Sequence, residues 1–167
     1  MFLVRWIRTL LSLPALWAGQ AAAMLHSPSA ITLLSAAWRI SGSGEIARQA
    51  IWQVQRHHGA AAALARAAVW MESNARPEIA AAAGILAMED RDVAQAAGWL
   101  EQGRRLGDDP AGMLETLEFL IALAGEDKNA AVETARRFEQ RRDLPPIVSR
   151  MILSELLWYD MLVGRFE

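Results

Sequence analysis

Histidines are the first candidates for chemistry, because the chain has no cysteine to act as a nucleophile or a thiolate ligand. Of its three histidines, His57 and His58 are adjacent and His26 is distant in sequence. Two metal ligands on one helix usually stand four residues apart, whereas adjacent side chains point about 100° apart. Polar or cationic residues at a helix C-terminus also favour the helix dipole. The sequence therefore predicts no metal site.

Two carboxylate pairs are the next candidates, for acid–base chemistry. Glu115 and Glu118 share one face of a predicted helix, and Asp108 and Asp109 directly precede Pro110. A glycosidase needs two acids that face a cleft at a defined separation, which neighbours on one helix face do not provide. Acids just before a helix stabilise its N-terminus. Both pairs are therefore predicted to be structural.

The segment Gly42-Ser43-Gly44 is predicted to be a turn and not a phosphate-binding loop. It lacks the lysine and the preceding strand of a P-loop. The sequence shows no Ser-His-Asp arrangement and no nucleophile elbow. We therefore predict that the chain is not an enzyme and binds no cofactor.

The charge balance argues against nucleic acid as a partner. The net charge is −2, whereas nucleic-acid binding requires a strongly basic face. Sixteen of the 17 cationic residues are arginines. Pairs of them at Arg104–Arg105, Arg136–Arg137 and Arg141–Arg142 end predicted helices, where they favour the dipole. A basic strip for phosphate or acidic groups stays open as an alternative.

The N-terminal segment, residues 1–28, is apolar. Residues 1–44 contain no Asp or Glu, and the 17 residues from Thr9 to Leu25 carry no charge. This pattern fits a secretory signal, a short membrane anchor, a helix lying on a membrane with Trp6 and Trp17 at the interface, or a helix that caps the array. Membrane contact through residues 1–25 is favoured, while secreted, periplasmic and cytoplasmic locations stay open.

The remaining chain, residues 29–167, is predicted to be one all-α domain. Nothing alternates with the period of a strand, and glycines and prolines divide the chain into pieces of helical length. Ser27 is expected to cap the first of these helices and Pro28 to open it. The predicted helices cover residues 28–40, 45–57, 60–73, 77–89, 92–106, 111–124, 128–142 and 147–163. The short connections make neighbouring helices antiparallel.

These helices pair into hairpins of regular length. The tight turns fall near Gly59, Arg91, Glu126 and Gly164, at intervals of 32, 35 and 38 residues. One hairpin reads AAAAGILAMEDRDVAQAAGWLEQGRRLGDDP, and the next reads LEFLIALAGEDKNAAVETARRF. The small residues of these segments, and the closing GRFE, line up with a repeat of about 34 residues.

In this pattern the chain from about residue 45 to residue 167 resembles a tetratricopeptide repeat (TPR) protein. Gly84, Ala96 and Ala131 stand where TPR helices carry small residues, and Leu100 stands at a bulky position. The chain departs from the family where alanines replace the aromatic residue of helix A. The resemblance implies a right-handed α-solenoid of stacked hairpins. Another α-solenoid or bundle is the nearest alternative.

The resemblance also implies a partner. TPR proteins bind peptides or helices in a groove lined by helix A, so the chain is predicted to be a non-catalytic interaction scaffold. An apolar, methionine-rich groove suits an apolar peptide or helix, and the basic clamp for a C-terminal carboxylate is missing. The groove positions are Gln49, Gln53, Arg56, Glu78, Ile85, Met88, Met113, Leu120, Leu123, Met151, Trp158 and Met161.

The last predicted helix is unusually apolar for a helix that ends a solenoid, since an end helix needs a polar outer face. Ile152, Leu157 and Trp158 are among its large apolar residues. We therefore expect either a longer repeat array, of which this chain is a part, or a homo-oligomer contact. The alternative to a reversible scaffold is a permanent accessory subunit of a membrane complex.

Overall fold

The prediction of an all-α chain is confirmed. The computed structural model describes residues 2–107, 112–125, 128–139 and 146–163. Within those ranges it contains nine α-helices and no strand. The helices are α1 (Phe2–Met24), α2 (Ser29–Ser41), α3 (Gly44–His58), α4 (Ala60–Asn74), α5 (Pro77–Glu89), α6 (Val93–Leu106), α7 (Met113–Ala124), α8 (Lys128–Glu139) and α9 (Pro146–Val163).

The helix ends follow the local signals of the sequence. Gly42 has a left-handed φ of 67° and closes α2, its N–H bonding to the Trp38 carbonyl. Pro77 occupies the first turn of α5, and the Asp92 side chain accepts from the Gln95 N–H at 2.9 Å, capping α6. The predicted ends at residues 111 and 140–142 lie outside the described residues.

The predicted start of α2 is wrong by one residue. Pro28 has helical backbone angles but lies at the cap position, and α2 begins at Ser29. Ser27 caps the helix only weakly, since its hydroxyl lies 3.4 Å from the Ser29 N–H and 2.8 Å from the Ser29 hydroxyl.

Each helix packs against the next one along the chain, as short connections require. In addition α3 contacts α5, α5 contacts α7, and α7 contacts α9. These four helices therefore form a row. On its flank, α4 packs against α3 and α5, α6 against α5 and α7, and α8 against α7 and α9. The row consists of the predicted A helices, which places the predicted groove positions on consecutive neighbours.

Small residues allow α5 and α6 to approach each other closely. Ala80, Ala81, Ala82 and Ala83 are all fully buried on α5. A Cβ placed on Gly103 of α6 would lie 2.6 Å from Leu114 Cδ2 and 3.2 Å from the Ala80 Cβ, so the Gly103 backbone lies directly against the Ala80 methyl group. Alanine and glycine thus bring α5 and α6 together with little side-chain volume between them.

Gly84 allows a close approach between α5 and the next helix of the row, α7. A Cβ at this position would meet the Leu117 side chain of α7, with Cδ1 at 3.0 Å and Cγ at 3.2 Å. The nearest atoms therefore belong to the next helix of the row and not to α6. The absence of a side chain at Gly84 lets α5 and α7 pack closely.

Four tryptophans contribute to the core, whereas Trp158 does not. Trp70 is 3% exposed, its ring centroid lies 4.3 Å from that of Trp38, and Trp52 and Trp99 are half-buried against core residues. Trp158 is 59% exposed. This side chain is therefore available to a partner.

The N-terminal segment forms a hairpin with α2. A Cβ on Gly19 would lie 3.2 Å from the Leu34 backbone nitrogen, so the two helices approach closely there. The hairpin also contacts α3, because Gln20 Nε2 lies 3.4 Å from Gln49 Oε1 and Arg56 Nη1 lies 3.0 Å from His26 Nδ1. In the described part of the chain, no helix combines the length and the apolar character that crossing a membrane requires.

Candidate protein-binding surface

Two of the three predicted groove positions on α3 are already engaged by other side chains. Gln49 and Gln53 are half-buried and Arg56 is exposed. Gln49 donates to the Glu45 carboxylate at 3.0 Å and accepts from α1, while Arg56 donates to His26 in the turn before α2. This end of the row therefore offers polar groups with little free apolar surface.

The middle of the row carries apolar side chains that are partly covered. Ile85 and Met88 on α5 and Met113 on α7 are half-buried. All three pack against the same buried cluster, which includes Leu114 and Leu117. The structure thus brings these predicted positions together, but it also uses them to close the core. Glu78, at the start of α5, lies against Gly44 at the N-terminus of α3.

The remaining predicted groove positions, on α7 and α9, differ in how far their side chains are exposed. Leu120 and Leu123 are half-buried, and Leu123 packs against the cluster around Phe119 and Phe138. Met151 belongs to α9, but its side chain is outside the described part of the structure. Trp158 and Met161 on α9 are 59% and 47% exposed.

Among the described residues of the row, the large apolar side chains that are exposed all lie on α9, and the sequence predicted only some of them. Leu153 and Leu157 are 49% and 61% exposed, while Ile152 and Leu156 point into the core. Spacing of four residues aligns Leu153, Leu157 and Met161 on one helix face. We call Leu153, Leu157, Trp158 and Met161 the α9 strip. That spacing was visible in the sequence, but Leu153 was not singled out.

Three of the arginines at the ends of α6 and α8 are paired with glutamates. Glu118 of α7 accepts from Arg104 of α6 and from Arg137 of α8, and its side chain is only 17% exposed. Arg105 pairs with Glu101 on its own helix. The remaining predicted pair, residues 141–142, lies outside the described residues. Glu118 therefore acts as an ionic link between three helices.

One carboxyl group near the N-terminus of α3 has a displaced pKa. Burial disfavours the charged form of Glu45, but hydrogen bonds from Arg48 and Gln49 and the charge of Arg48 outweigh it. The net effect lowers the pKa of Glu45 below its ordinary value of 4.5. The ionised carboxylate also lies in the first turn of α3, where the helix dipole favours it.

A cleft of about 390 Å³ lies between α2 and α4, and no sequence motif pointed to it. Arg39 and Arg66 line it together with Val69, Trp38 and Trp70. The two indole rings are 5% and 3% exposed, and the Arg66 guanidinium stands 5.8 Å from the Trp70 ring centroid. The cleft therefore offers guanidinium groups at its rim and little aromatic surface at its floor.

No group of three or more potential metal ligands converges in the described residues. The His57 and His58 rings lie 6.5 Å apart, and His26 contacts Arg56 instead. Comparison with protein families, with characterised proteins and with solved structures finds no match to this chain. The exposed surfaces of the chain itself are therefore the features from which a function can be proposed.

Proposed function

We propose that this chain is a non-catalytic interaction scaffold of TPR-like hairpins that binds an apolar helix or peptide along α7 and α9. The contacts among alternate helices support the hairpin array, because the A helices of a TPR stack form such a row. The resemblance in sequence supports the same assignment through its small residues. A right-handed solenoid is part of the proposal.

The observation that carries the proposal is the α9 strip. Four large apolar side chains that are 47–61% exposed lie close together on one helix. Exposed apolar patches of this kind mark interaction sites in soluble proteins. Tryptophan is enriched among residues that dominate binding energy, and methionine adapts to varied apolar surfaces. The half-buried Leu120 of α7 extends the surface along the row.

Two substitutions on this surface test the proposal. Trp158→Ala removes an exposed ring that contributes little to the core, and Leu120→Glu introduces a charge on α7, the neighbouring helix of the row. Trp17→Ala is the matched control, because Trp17 is 67% exposed on α1, outside the row. Proteins that co-purify with each tagged form from its source cells would be identified, and the affinity of the leading one would be measured with purified components.

We expect Trp158→Ala to weaken binding by at least about tenfold, as for a central interface tryptophan. Leu120→Glu should weaken it as strongly, because a carboxylate would be buried against an apolar partner. Trp17→Ala should bind like the wild type. Circular dichroism should show the same helix content for all forms. Equal binding by all of them would refute the assignment of this surface.

A permanent accessory subunit of a membrane complex is the second candidate. The observation that favours it is that apolar residues are exposed on α1 as well as on α9, so two separate surfaces need cover. Permanent interfaces are more apolar than reversible ones. Such a subunit should aggregate when expressed alone and become soluble only with its partner. A reversible scaffold should stay soluble and monodisperse without one.

A further inference from the structure

The first helix exposes a continuous apolar face. Two of the exposed side chains that the structure describes on α1, Arg8 and Gln20, are polar and flank one side of the helix. The other eight are apolar, recur every three or four residues and therefore lie on that side. We call this set the α1 outer face: Ile7, Leu10, Leu11, Pro14, Trp17, Ala18, Ala21 and Met24.

The opposite face of α1, which packs against α2, carries smaller residues. Ser12 is 1% exposed, Gly19 lies against Leu34, and Ala15 is half-buried against the core. A helix on the surface of a soluble protein normally turns its apolar stripe inward and its polar side outward. Leu16 packs against the core, but other large apolar residues point outward: Leu11 is 64% exposed and Trp17 is 67% exposed. The described residues of the chain do not cover the α1 outer face. This face therefore requires another apolar environment.

Charge identifies the environment that fits this face. Residues 1–44 contain arginines but no acid. Arg8 is exposed near the beginning of α1, and Arg5 precedes it by one turn. An apolar helix face with flanking arginines and an exposed tryptophan suits the interface of an anionic bilayer. A second copy of the chain would bring the same cationic, acid-free segment as its partner surface, so charge complementarity favours lipid.

We propose that the α1 outer face docks on the surface of a bilayer that contains anionic lipid. The helix lies parallel to the membrane plane, and the leucines and Trp17 enter the boundary between headgroups and acyl chains. The α1–α2 hairpin thereby attaches the array to the membrane. This inference does not depend on the proposed scaffold role, because α9 lies at the other end of the row.

Vesicle co-sedimentation of the full chain tests the proposal. The vesicles would be phosphatidylcholine alone and phosphatidylcholine mixed with phosphatidylserine. Leu11→Glu and Trp17→Ala alter the outer face at exposed positions, and Arg8→Gln removes one charge. Trp158→Ala is the matched control, since it removes a tryptophan of similar exposure from α9.

We expect the wild type to bind the anionic vesicles more tightly than the neutral ones, and less tightly at high salt. Leu11→Glu and Trp17→Ala should each weaken binding by about tenfold or more, because a large apolar contact is lost. Arg8→Gln should weaken binding to anionic vesicles by about fivefold. Trp158→Ala should bind like the wild type, whether or not it loses a protein partner.

Three results would overturn the proposal. The first is a wild-type chain that stays in the supernatant with both kinds of vesicle. The second is vesicle binding that Leu11→Glu and Trp17→Ala leave unchanged. The third is a wild-type dimer that Trp17→Ala converts to a monomer without lipid, which would assign the face to a second copy. Helix content by circular dichroism would confirm that each variant remains folded.

Discussion

Gly84 and Gly98 offer a direct test of how α5 and α7 pack. Both glycines lie inside helices, Gly84 in α5 and Gly98 in α6. A Cβ at Gly84 would collide with the Leu117 side chain, which is fully buried and has no free space to move into. A Cβ at Gly98 would meet nothing within 4 Å. Replacing either glycine with alanine therefore raises the helix propensity in the same way. Only at Gly84 does the added Cβ also meet a buried side chain.

The two variants share one energy term and differ in another. Alanine in a helix interior is more favourable than glycine by about 1 kcal/mol, so Gly98→Ala should stabilise the fold by about that amount. At Gly84 the same gain is opposed by overpacking, which costs about 1–3 kcal/mol. The helix-propensity gain cancels in the comparison. Gly84→Ala should therefore be less stable than Gly98→Ala by about 1–3 kcal/mol.

Urea and thermal unfolding of the two purified variants, followed by circular dichroism, would measure this difference. In a chain of this size, each kcal/mol corresponds to about 2–4 °C in Tm. Gly98→Ala should melt above the wild type, and Gly84→Ala should melt below Gly98→Ala. If the two variants unfold at the same temperature and urea concentration, the close contact between Gly84 and Leu117 does not exist.

Two further predictions concern charged groups. Because the pKa of Glu45 is lower in the folded chain, its stabilising effect is present above pH 4.5 and is lost as pH falls through the folded value. Glu45→Gln should therefore lower Tm at neutral pH and leave it unchanged in strong acid; an equal decrease at both pH values would contradict this cause. Glu118→Gln should destabilise the fold by about 1 kcal/mol, because Glu118 links Arg104 and Arg137, and high salt should reduce the effect. The matched variant Glu101→Gln, in an exposed pair, should change urea unfolding by less than about 0.5 kcal/mol, and equal effects would argue against the link.

The candidate surface was predictable only in part. Trp158 and Met161 are exposed, as positions open to a partner must be, whereas Ile85, Met88 and Met113 help to close the core. The register of a repeat assigns residues to a helix face. It does not show how closely the neighbouring helices cover that face, because the coverage depends on contacts between distant parts of the chain.

The cleft between α2 and α4 was not predictable at all. Arg39 and Arg66 come from different hairpins, and neither residue belongs to a recognisable motif. The same holds for the link through Glu118, whose partners lie on the helices before and after its own. Such pairings depend on side chains that meet only after the helices have packed.

The sequence by itself determined the helices and their order. Glycines that adopt positive φ, prolines that open helices and an aspartate that caps one are local signals, and local backbone preferences act before any tertiary contact forms. Only the tertiary structure decided which face of each apolar helix meets solvent. The segment from Thr9 to Leu25 carries no charge, so its apolar pattern marks no inner side. The close approach of Gly19 to Leu34 turns the side with small residues toward α2, and it leaves Leu10, Leu11 and Trp17 exposed.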